Sequence, residues 1–314
     1  MDGEEPGRTG EKEVGEEDGE EEDGEEDGEE SSDSGSETSG GRGPTGGAIE
    51  ERPLLKSFDS HVAHSIAEGG PGTKLKLHHH ATYLNKWPKI SEQRWRARVD
   101  NSGLASLFGL GHYTWCKAVR VSSLVERWHP ETNSFHLGFG EMTITLDDVV
   151  QLIGLSVTGA ALFVEDDRDP VALLVQVLGV SEREAKKELG EKRRSVSLDW
   201  LRRKFGYVHA GSSDARVDNC ARAYLMYVLG CTIFTNKEGA RVRVNVLSFL
   251  ADLDGVRGYA WGAAALAYLY RELGFASRKD GRQIAGFLTL LEVHELSHIS
   301  HIHFPTYLPV ILRV

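Results

Sequence analysis

The residues most suggestive of catalysis lie near the C-terminus, in the sequence His294-Glu295-Leu296-Ser297-His298. Two histidines four residues apart lie on one face of a helix, where their ring nitrogens can bind Zn²⁺. A glutamate beside the first histidine can then act as a general base toward a metal-bound water. The pattern therefore raises the hypothesis of a zinc-dependent hydrolase.

A catalytic zinc ion needs a third protein ligand, and the expected positions do not supply one. A histidine six residues after His298 would complete one common arrangement, but Phe304 occupies that position. A later glutamate would complete another, but none of the sixteen residues after His298 is acidic. His301 and His303 make the segment rich in histidine, which favours a chance match. We therefore predict an ordinary helix without a metal ion, and the zinc hydrolase remains the alternative.

Basic residues beside aromatic residues form a second candidate site, because cations contact phosphates and aromatic rings stack on bases. One cluster adjoins Trp200 and Phe205, and the other lies in a predicted loop. The alternative interpretation is a solvated helix face. We expect any binding of nucleic acid to be weak, non-specific and sensitive to salt. The predicted contacts are Arg202, Arg203, Lys204, Arg278, Lys279 and Arg282.

Residues 1–50 differ in kind from the rest of the chain. They contain 20 acidic residues and three basic ones, a net charge of −17, whereas the whole chain carries −12. The remaining residues therefore hold 33 basic and 28 acidic side chains, a balance of +5 that is modest for a protein that binds nucleic acid. Because the first segment has almost no apolar residues to bury, we predict a disordered acidic tail over 1–50.

Composition also restricts the cellular setting. No run of about 18 apolar residues is present, and residues 1–50 lack the apolar stretch of a secretory signal, so no membrane partner is expected. Three scattered cysteines indicate a reducing compartment and no zinc ribbon. We predict that Cys220 and Cys231 are core residues.

Helical patterns dominate after residue 145, so we predict a mainly α body with one small β-hairpin. Ser181 with Glu184 forms a capping box, and Ser197 is a predicted N-cap. Glycines after several apolar stretches are predicted helix ends. The predicted helices that follow cover residues 198–205, 221–229, 244–253, 261–273 and 284 to about 299.

Residues 125–159, VERWHPETNSFHLGFGEMTITLDDVVQLIGLSVTG, are the most distinctive stretch. Alternating apolar residues around turn-forming residues predict a hairpin, and Thr145 with Asp148 predicts the capped start of a helix that ends at Gly154. The spacing of Leu146, Val149, Val150 and Ile153 predicts one apolar helix face. The predicted core side chains are Trp128, Phe135, Ile144, Leu146 and Trp261.

This stretch closely resembles the signature of the plant mobile domain family, a transposon-related group also called aminotransferase-like. Later blocks agree in the same order, so the resemblance covers about residues 52–293 and implies one domain over 51–314 that is truncated or divergent after about 293. These blocks are LLVQVLGVSEREAKKELG (173–190), VSLDWLRRKFG (196–206), ARAYLMYVLGCTIFTNKEGARVRVNVLSFLADLD (221–254) and YAWGAAALAYLYRELGFASRKDGRQIAGFLTLLE (259–292).

The resemblance implies a non-enzymatic protein of the plant nucleus, with the cytoplasm as the alternative location. It would bind protein or nucleic acid in transposon silencing, genome stability and meristem maintenance, with nuclear proteins or chromatin as partners. No cofactor is expected, because the lysines lie in charged contexts that do not suit a Schiff base with pyridoxal phosphate. An inactive transposon-derived fragment is a further alternative, suggested by the apolar terminus LPVILRV.

Overall fold

The computed structural model describes residues 57–112, 117–137, 140–163 and 168–303, with the backbone alone for 296–303. The predicted acidic tail lies outside the described residues and stays a prediction. Helices account for most of the described chain, as the sequence predicted. The α-helices are α1 (Val62–Ala67), α2 (Gln93–Asp100), α3 (Ala118–Val125), α4 (Leu146–Asp148), α5 (Pro170–Leu178), α6 (Glu182–Leu189), α7 (Leu198–Phe205), α8 (Asp214–Cys231), α9 (Trp261–Ala276) and α10 (Leu288–His303).

Short strands join segments that are distant in sequence. The antiparallel hairpin of β3 (Ser134–Leu137) and β4 (Gly140–Met142) was predicted, and β2 (Trp128–His129) extends it to three strands by pairing with β3. Two pairs were not predicted. Parallel strands β1 (Lys76–Leu77) and β7 (Gln283–Ile284) form one, and antiparallel strands β5 (Ser195–Ser197) and β6 (Arg241–Arg243) form the other.

The helix after the hairpin begins as predicted but continues differently. Thr145 and Asp148 form the reciprocal capping box, and Gly154 ends the segment with a φ of 75°. After three α-helical residues the chain forms a π-helix over Val149–Ile153. The wider turn of the π-helix changes the spacing of side chains around the helix axis. The four apolar side chains predicted to share one face therefore do not all point to the core. Val149 and Ile153 are buried, whereas Leu146 is 45% exposed and Val150 is 42% exposed, so the prediction that Leu146 is a core residue was wrong.

The other predicted core residues are confirmed, since Trp128, Phe135, Ile144 and Trp261 are each at most 1% exposed. Trp128 contacts Phe135 with ring centres 4.8 Å apart. Tyr270 of α9 packs on Trp128 and donates a hydrogen bond to the carbonyl of Ile144. The three-stranded sheet therefore holds α9 in place.

Helix α8 is central to the fold and longer than predicted. It begins at Asp214, capped by Ser213, and runs through Gly230 to Cys231. Gly230 does not end the helix but lies inside it. The glycine allows β6 to pack closely on the helix, because a Cβ there would lie 2.6 Å from the Cβ of Val242. Cys220 and Cys231 are buried, as predicted.

The remaining helix boundaries also differ from the predicted ones. Residues 244–249 form a 3₁₀-helix instead of the predicted longer α-helix, and Ile284 lies in β7. Helix α9 continues past Gly274 to Ala276, whereas α10 starts at Leu288. Across the described residues, no helix is both long and apolar enough to span a membrane.

Candidate nucleic-acid interface

The predicted cluster on α7 is paired with neighbouring carboxylates, two for its three cations. Asp199, one turn earlier on the same helix, lies 2.5 Å from the guanidinium of Arg202 and 2.7 Å from that of Arg203. The ammonium of Lys204 pairs with Glu184 of α6 and lowers the pKa of that carboxyl to about 2. All three cations are therefore held in ion pairs, and the Lys204–Glu184 pair joins α7 to α6. This pairing makes them poorer candidates for phosphate contacts.

The second predicted cluster lies in the loop between α9 and β7. Its backbone is anchored, because the Lys279 N–H donates to the Ser60 carbonyl at 2.7 Å and residue 282 accepts from Lys76 in the β1–β7 pair. Arg278, Lys279 and Arg282 are exposed, and no carboxylate among the described residues lies within ion-pair distance of them. The structure thus brings these three predicted cations together on one surface, apart from the α7 cluster.

This surface continues along the exposed face of α9 as three adjoining depressions. The first and second share Ala267 and Arg271, and the second and third share Ser60 and Arg278. We call the combined surface the α9 groove. With a rise of about 1.5 Å per residue, the helix face from Ala264 to Phe275 contributes roughly 16 Å of its length.

The α9 groove is positively charged. Among the described residues, two carboxylates line it, Asp59 and Asp280. Five described cations also line it, so this described part of the lining carries a net charge of +3. These cations are Arg243, Arg271, Arg278, Lys279 and Arg282.

Aromatic rings alternate with these cations. The guanidinium carbon of Arg271 lies 4.5 Å from the ring centre of Tyr268, and that of Arg278 lies 4.7 Å from the ring centre of Phe275. Phe275 is 41% exposed, and Phe234 meets Tyr268 edge to face at the first depression. Cation–π contacts of this kind orient the guanidinium groups without neutralising them.

One buried carboxylate organises the middle of the groove. Glu272 lies 2.7 Å from the ammonium of Lys237 and 3.5 Å from the guanidinium of Arg271. The side chain of Glu272 is 6% exposed, whereas that of Arg271 is 57% exposed. A single carboxylate therefore serves two cations, so an excess positive charge remains at the surface.

Buried histidines support the wall opposite α9. The N–H of Ala63 donates to Nδ1 of His61, which leaves Nε2 to donate to the Trp128 carbonyl at 2.8 Å. His129 stacks on His136 with ring centres 3.6 Å apart. Burial lowers the pKa of His61, and burial together with the neighbouring His136 lowers the pKa of His129 to about 4. His61 and His129 are therefore neutral at pH 7.

The zinc motif lies on α10, but its described side chains do not form an open site. His294 is 2% exposed, and its Nε2 lies 3.7 Å from Oδ2 of Asp148, the capping residue of α4. Burial raises the pKa of Glu295, and Arg120 acts in the opposite direction. The described side chains, which stop short of His298, contain no group of three metal-binding residues.

The sequence prediction missed half of the α9 groove. Arg243, Arg271, Tyr268 and Phe234 are not clustered along the chain, and the fold alone brings them together. A partial signal was present, since residues 264, 267, 268, 271 and 275 follow the spacing of one helix face. That face interrupts an otherwise apolar helix with an arginine and two aromatic residues.

A mainly helical domain that presents a cationic, aromatic-lined groove has the features of a binding module. Comparison with known families adds its identity: the plant mobile domain profile matches residues 111–306, and the chain belongs to this family. The resemblance found in the sequence is thereby confirmed.

Named relatives come from Arabidopsis thaliana. The chain is 39% identical to Protein MAIN-LIKE 1 over 249 residues, and 36% identical to Protein MAINTENANCE OF MERISTEMS over 250 residues. These alignments cover 79% of this chain but 48% and 51% of the relatives, so the chain spans about half their length. A serine/threonine-protein phosphatase 7 long form homolog is 37% identical, with 18% of its length covered. No solved structure matches.

Proposed function

We propose that this protein is a non-enzymatic nuclear protein of plants that binds nucleic acid through the α9 groove. The observation that carries the proposal is the groove itself, in which five cations and several aromatic rings line one continuous surface. Family membership supports a role related to transposons, and the name of one relative supports a role in meristem maintenance. Transposon silencing and genome stability are the processes in which we propose that this binding acts.

The charge distribution supports nucleic acid as the ligand. A cation that contacts a phosphate releases condensed counterions, and this release drives association without regard to sequence. The whole chain carries a net charge of −12, whereas the described lining of the groove is positive. The positive electrostatic potential is therefore confined to the region of the groove. The aromatic rings add surfaces on which bases can stack. We expect affinity that is modest and strongly dependent on salt.

A salt titration with two matched variants tests the proposal. The full chain would be titrated with a labelled single-stranded DNA of mixed sequence, and affinity would be measured from low to high salt. Removing three phosphate contacts from a single strand should lower the slope of log K against log salt by about 2. We therefore expect this loss in the triple variant Arg278→Ala, Lys279→Ala, Arg282→Ala.

The matched control removes the same number of cations from the paired cluster, with Arg202→Ala, Arg203→Ala and Lys204→Ala. We expect this variant to keep the wild-type slope, because its cations already bind Asp199 and Glu184. Equal losses in both variants would contradict the assignment of the site to the α9 groove. Binding of an acidic peptide with no detectable binding of nucleic acid would instead indicate a protein ligand, such as a chromatin protein.

A further inference from the structure

The first depression is the most enclosed of the three that form the α9 groove. It has a volume of about 500 Å³, within the range of about 300–1,000 Å³ typical of small-molecule sites. Apolar side chains, among them Val246 and Phe249, line it together with polar groups. We infer that this cavity is a subsite for one unstacked nucleobase and its adjoining phosphate. Its defining side chains are Phe234, Asn236, Arg243, Asn245, Tyr268 and Arg271.

The aromatic part of the cavity is rigid. Phe234 and Tyr268 lie 5.4 Å apart at 85°, so each restricts the rotation of the other. The hydroxyl of Tyr268 donates to the Thr235 carbonyl at 3.1 Å, and Arg271 covers the Tyr268 ring at 4.5 Å. Because the rings and the guanidinium plane are already ordered, a base that stacks there pays little entropy for ordering the site. Stacking of one base on an aromatic ring contributes about 1–3 kcal/mol.

Two asparagines supply groups that match the edges of bases. An asparagine amide has two donors and an oxygen with two lone pairs. In Asn236 the oxygen accepts from the N–H of Glu238 at 3.0 Å, and the amide nitrogen lies 3.3 Å from a carboxylate oxygen of Glu238. These contacts hold the side chain and use only half of its capacity. Asn245, in the 3₁₀-helix that follows β6, lines the same cavity.

Two arginines place positive charge beside the aromatic wall. Arg243 extends from the end of β6 and Arg271 from α9, and both act against the burial that raises the pKa of Tyr268. A guanidinium binds phosphate oxygens through parallel N–H donors, so the exposed Arg271 suits the phosphate that follows a stacked base. Cavity, rings, amides and guanidinium groups thus form the elements of one nucleotide subsite.

The subsite implies a preference for single strands. In a duplex, neighbouring base pairs cover both faces of each base, so a base enters this cavity only from a single strand or after flipping out. Phosphate contacts along the remainder of the groove are available to either form. This inference rests on the proposed function, since the cavity opens into the same cationic surface.

The test compares three probes on the full chain at one salt concentration: a single strand of about ten nucleotides, the same strand without bases, and the matching duplex. We expect the abasic strand and the duplex to bind about 10-fold more weakly than the single strand. Phe234→Leu should remove most of that preference and leave the salt slope unchanged. Tyr207→Leu, which alters a 69% exposed ring beside α7, should retain the preference.

Photo-crosslinking to the wild-type chain gives a second readout, which needs no substituted protein. A single strand with one 5-iodouracil should crosslink to Phe234 or Tyr268, and an excess of abasic strand should suppress this crosslink poorly. Equal affinity for all three probes, with crosslinks elsewhere, would overturn the base subsite and leave the proposed phosphate-binding groove intact. Failure of every probe to bind would overturn both.

Discussion

The α7 cluster and the α9 groove share one sequence signature and differ in structure. Each has three basic residues close together in sequence and near aromatic rings: those of α7, and those of the loop that forms one end of the groove. On α7, Asp199 and Glu184 pair with all three cations, and the Lys204–Glu184 pair joins α7 to α6. On the α9 side, the loop cations have no carboxylate at ion-pair distance among the described residues, and the fold adds Arg243 and Arg271 to them.

The difference shows that the positions of nearby acidic residues decide whether a cluster of basic residues forms ion pairs within the protein or stays available to a ligand. Asp199 lies three and four residues before Arg202 and Arg203, the spacing at which helical side chains meet. That spacing is visible in the sequence and predicts ion pairs along the helix. The pairing of Lys204 with Glu184 joins two helices, so it required the fold.

The largest expected effect on stability comes from substituting Ile144, which lies in the packing between the three-stranded sheet and α9. Ile144 is fully buried, and its carbonyl accepts a hydrogen bond from Tyr270, which lines the groove. Ile144→Ala should lower the free energy of unfolding by about 2–5 kcal/mol through loss of burial and formation of a cavity. Ile144→Asp buries a carboxylate and should give insoluble or unfolded protein. Expression and thermal melting measure both.

The control is Val119→Asp, at a 78% exposed position in the first turn of α3. An acidic residue there is compatible with the helix dipole, so we expect normal solubility and melting. Wild-type melting of Ile144→Asp would contradict the packing of the three-stranded sheet on α9.

Acid should weaken the groove wall before it affects α7. Burial lowers the pKa of His129 and of His80 to about 4, whereas an unfolded histidine titrates near 6.5. Between these values the unfolded chain binds more protons, so stability must fall as pH decreases from about 6.5 to 4. Each fully shifted group contributes a slope of about 1.4 kcal/mol per pH unit. Melting temperature should therefore decrease through this window.

Two carboxyls act against this trend, since burial raises the pKa of Glu292 and Glu295 and favours their protonated forms in the folded protein. Replacing His129 with asparagine should make the melting temperature less sensitive to pH in this window. Hydrogen exchange at pH 5 should rise in the three-stranded sheet more than in α7. A melting temperature that stayed constant from pH 7 to 4.5 would refute the prediction.

Much of the fold was predictable because local chemistry determines it. The capping boxes at Thr145 and Ser181 and the stop at Gly154 each depend on residues within a few positions. The π-helix after Asp148 was not predictable from the period, and it exposes Leu146. Gly230 also failed as a helix end, because its role is to admit Val242, a contact between segments distant in sequence.

The candidate site was predicted only in part for the same reason. Arg278, Lys279 and Arg282 are close together in sequence, and the structure places them at one end of the α9 groove. Arg243 reaches the other end because β6 pairs with β5, a pairing with no signal in the local pattern. The residues of a site can therefore be grouped from the sequence only where a single loop or helix supplies them.

Asp199→Ala sharpens the comparison by making the α7 cluster resemble the groove. The substitution releases Arg202 and Arg203, so two further phosphate contacts become available and the salt slope should increase by about 1.4. Loss of two helical ion pairs should cost about 0.4–1 kcal/mol. Glu191→Ala, an exposed acid with no described ion pair, is the control for net charge. An unchanged slope in Asp199→Ala would mean that the position of α7, and not its pairing, prevents binding.

The smallest effect is expected at the zinc motif, where Glu295→Gln should change almost nothing. Burial raises the pKa of Glu295 toward its neutral form, which glutamine resembles in shape, so stability should change by less than about 1 kcal/mol. Binding of nucleic acid should be unaffected, because Glu295 does not line the α9 groove. Metal analysis of the wild-type protein after dialysis should find well under one zinc per chain, since His294 is buried against Asp148. Stoichiometric zinc together with a peptidase activity that Glu295→Gln abolishes would establish the hydrolase in place of the binding module.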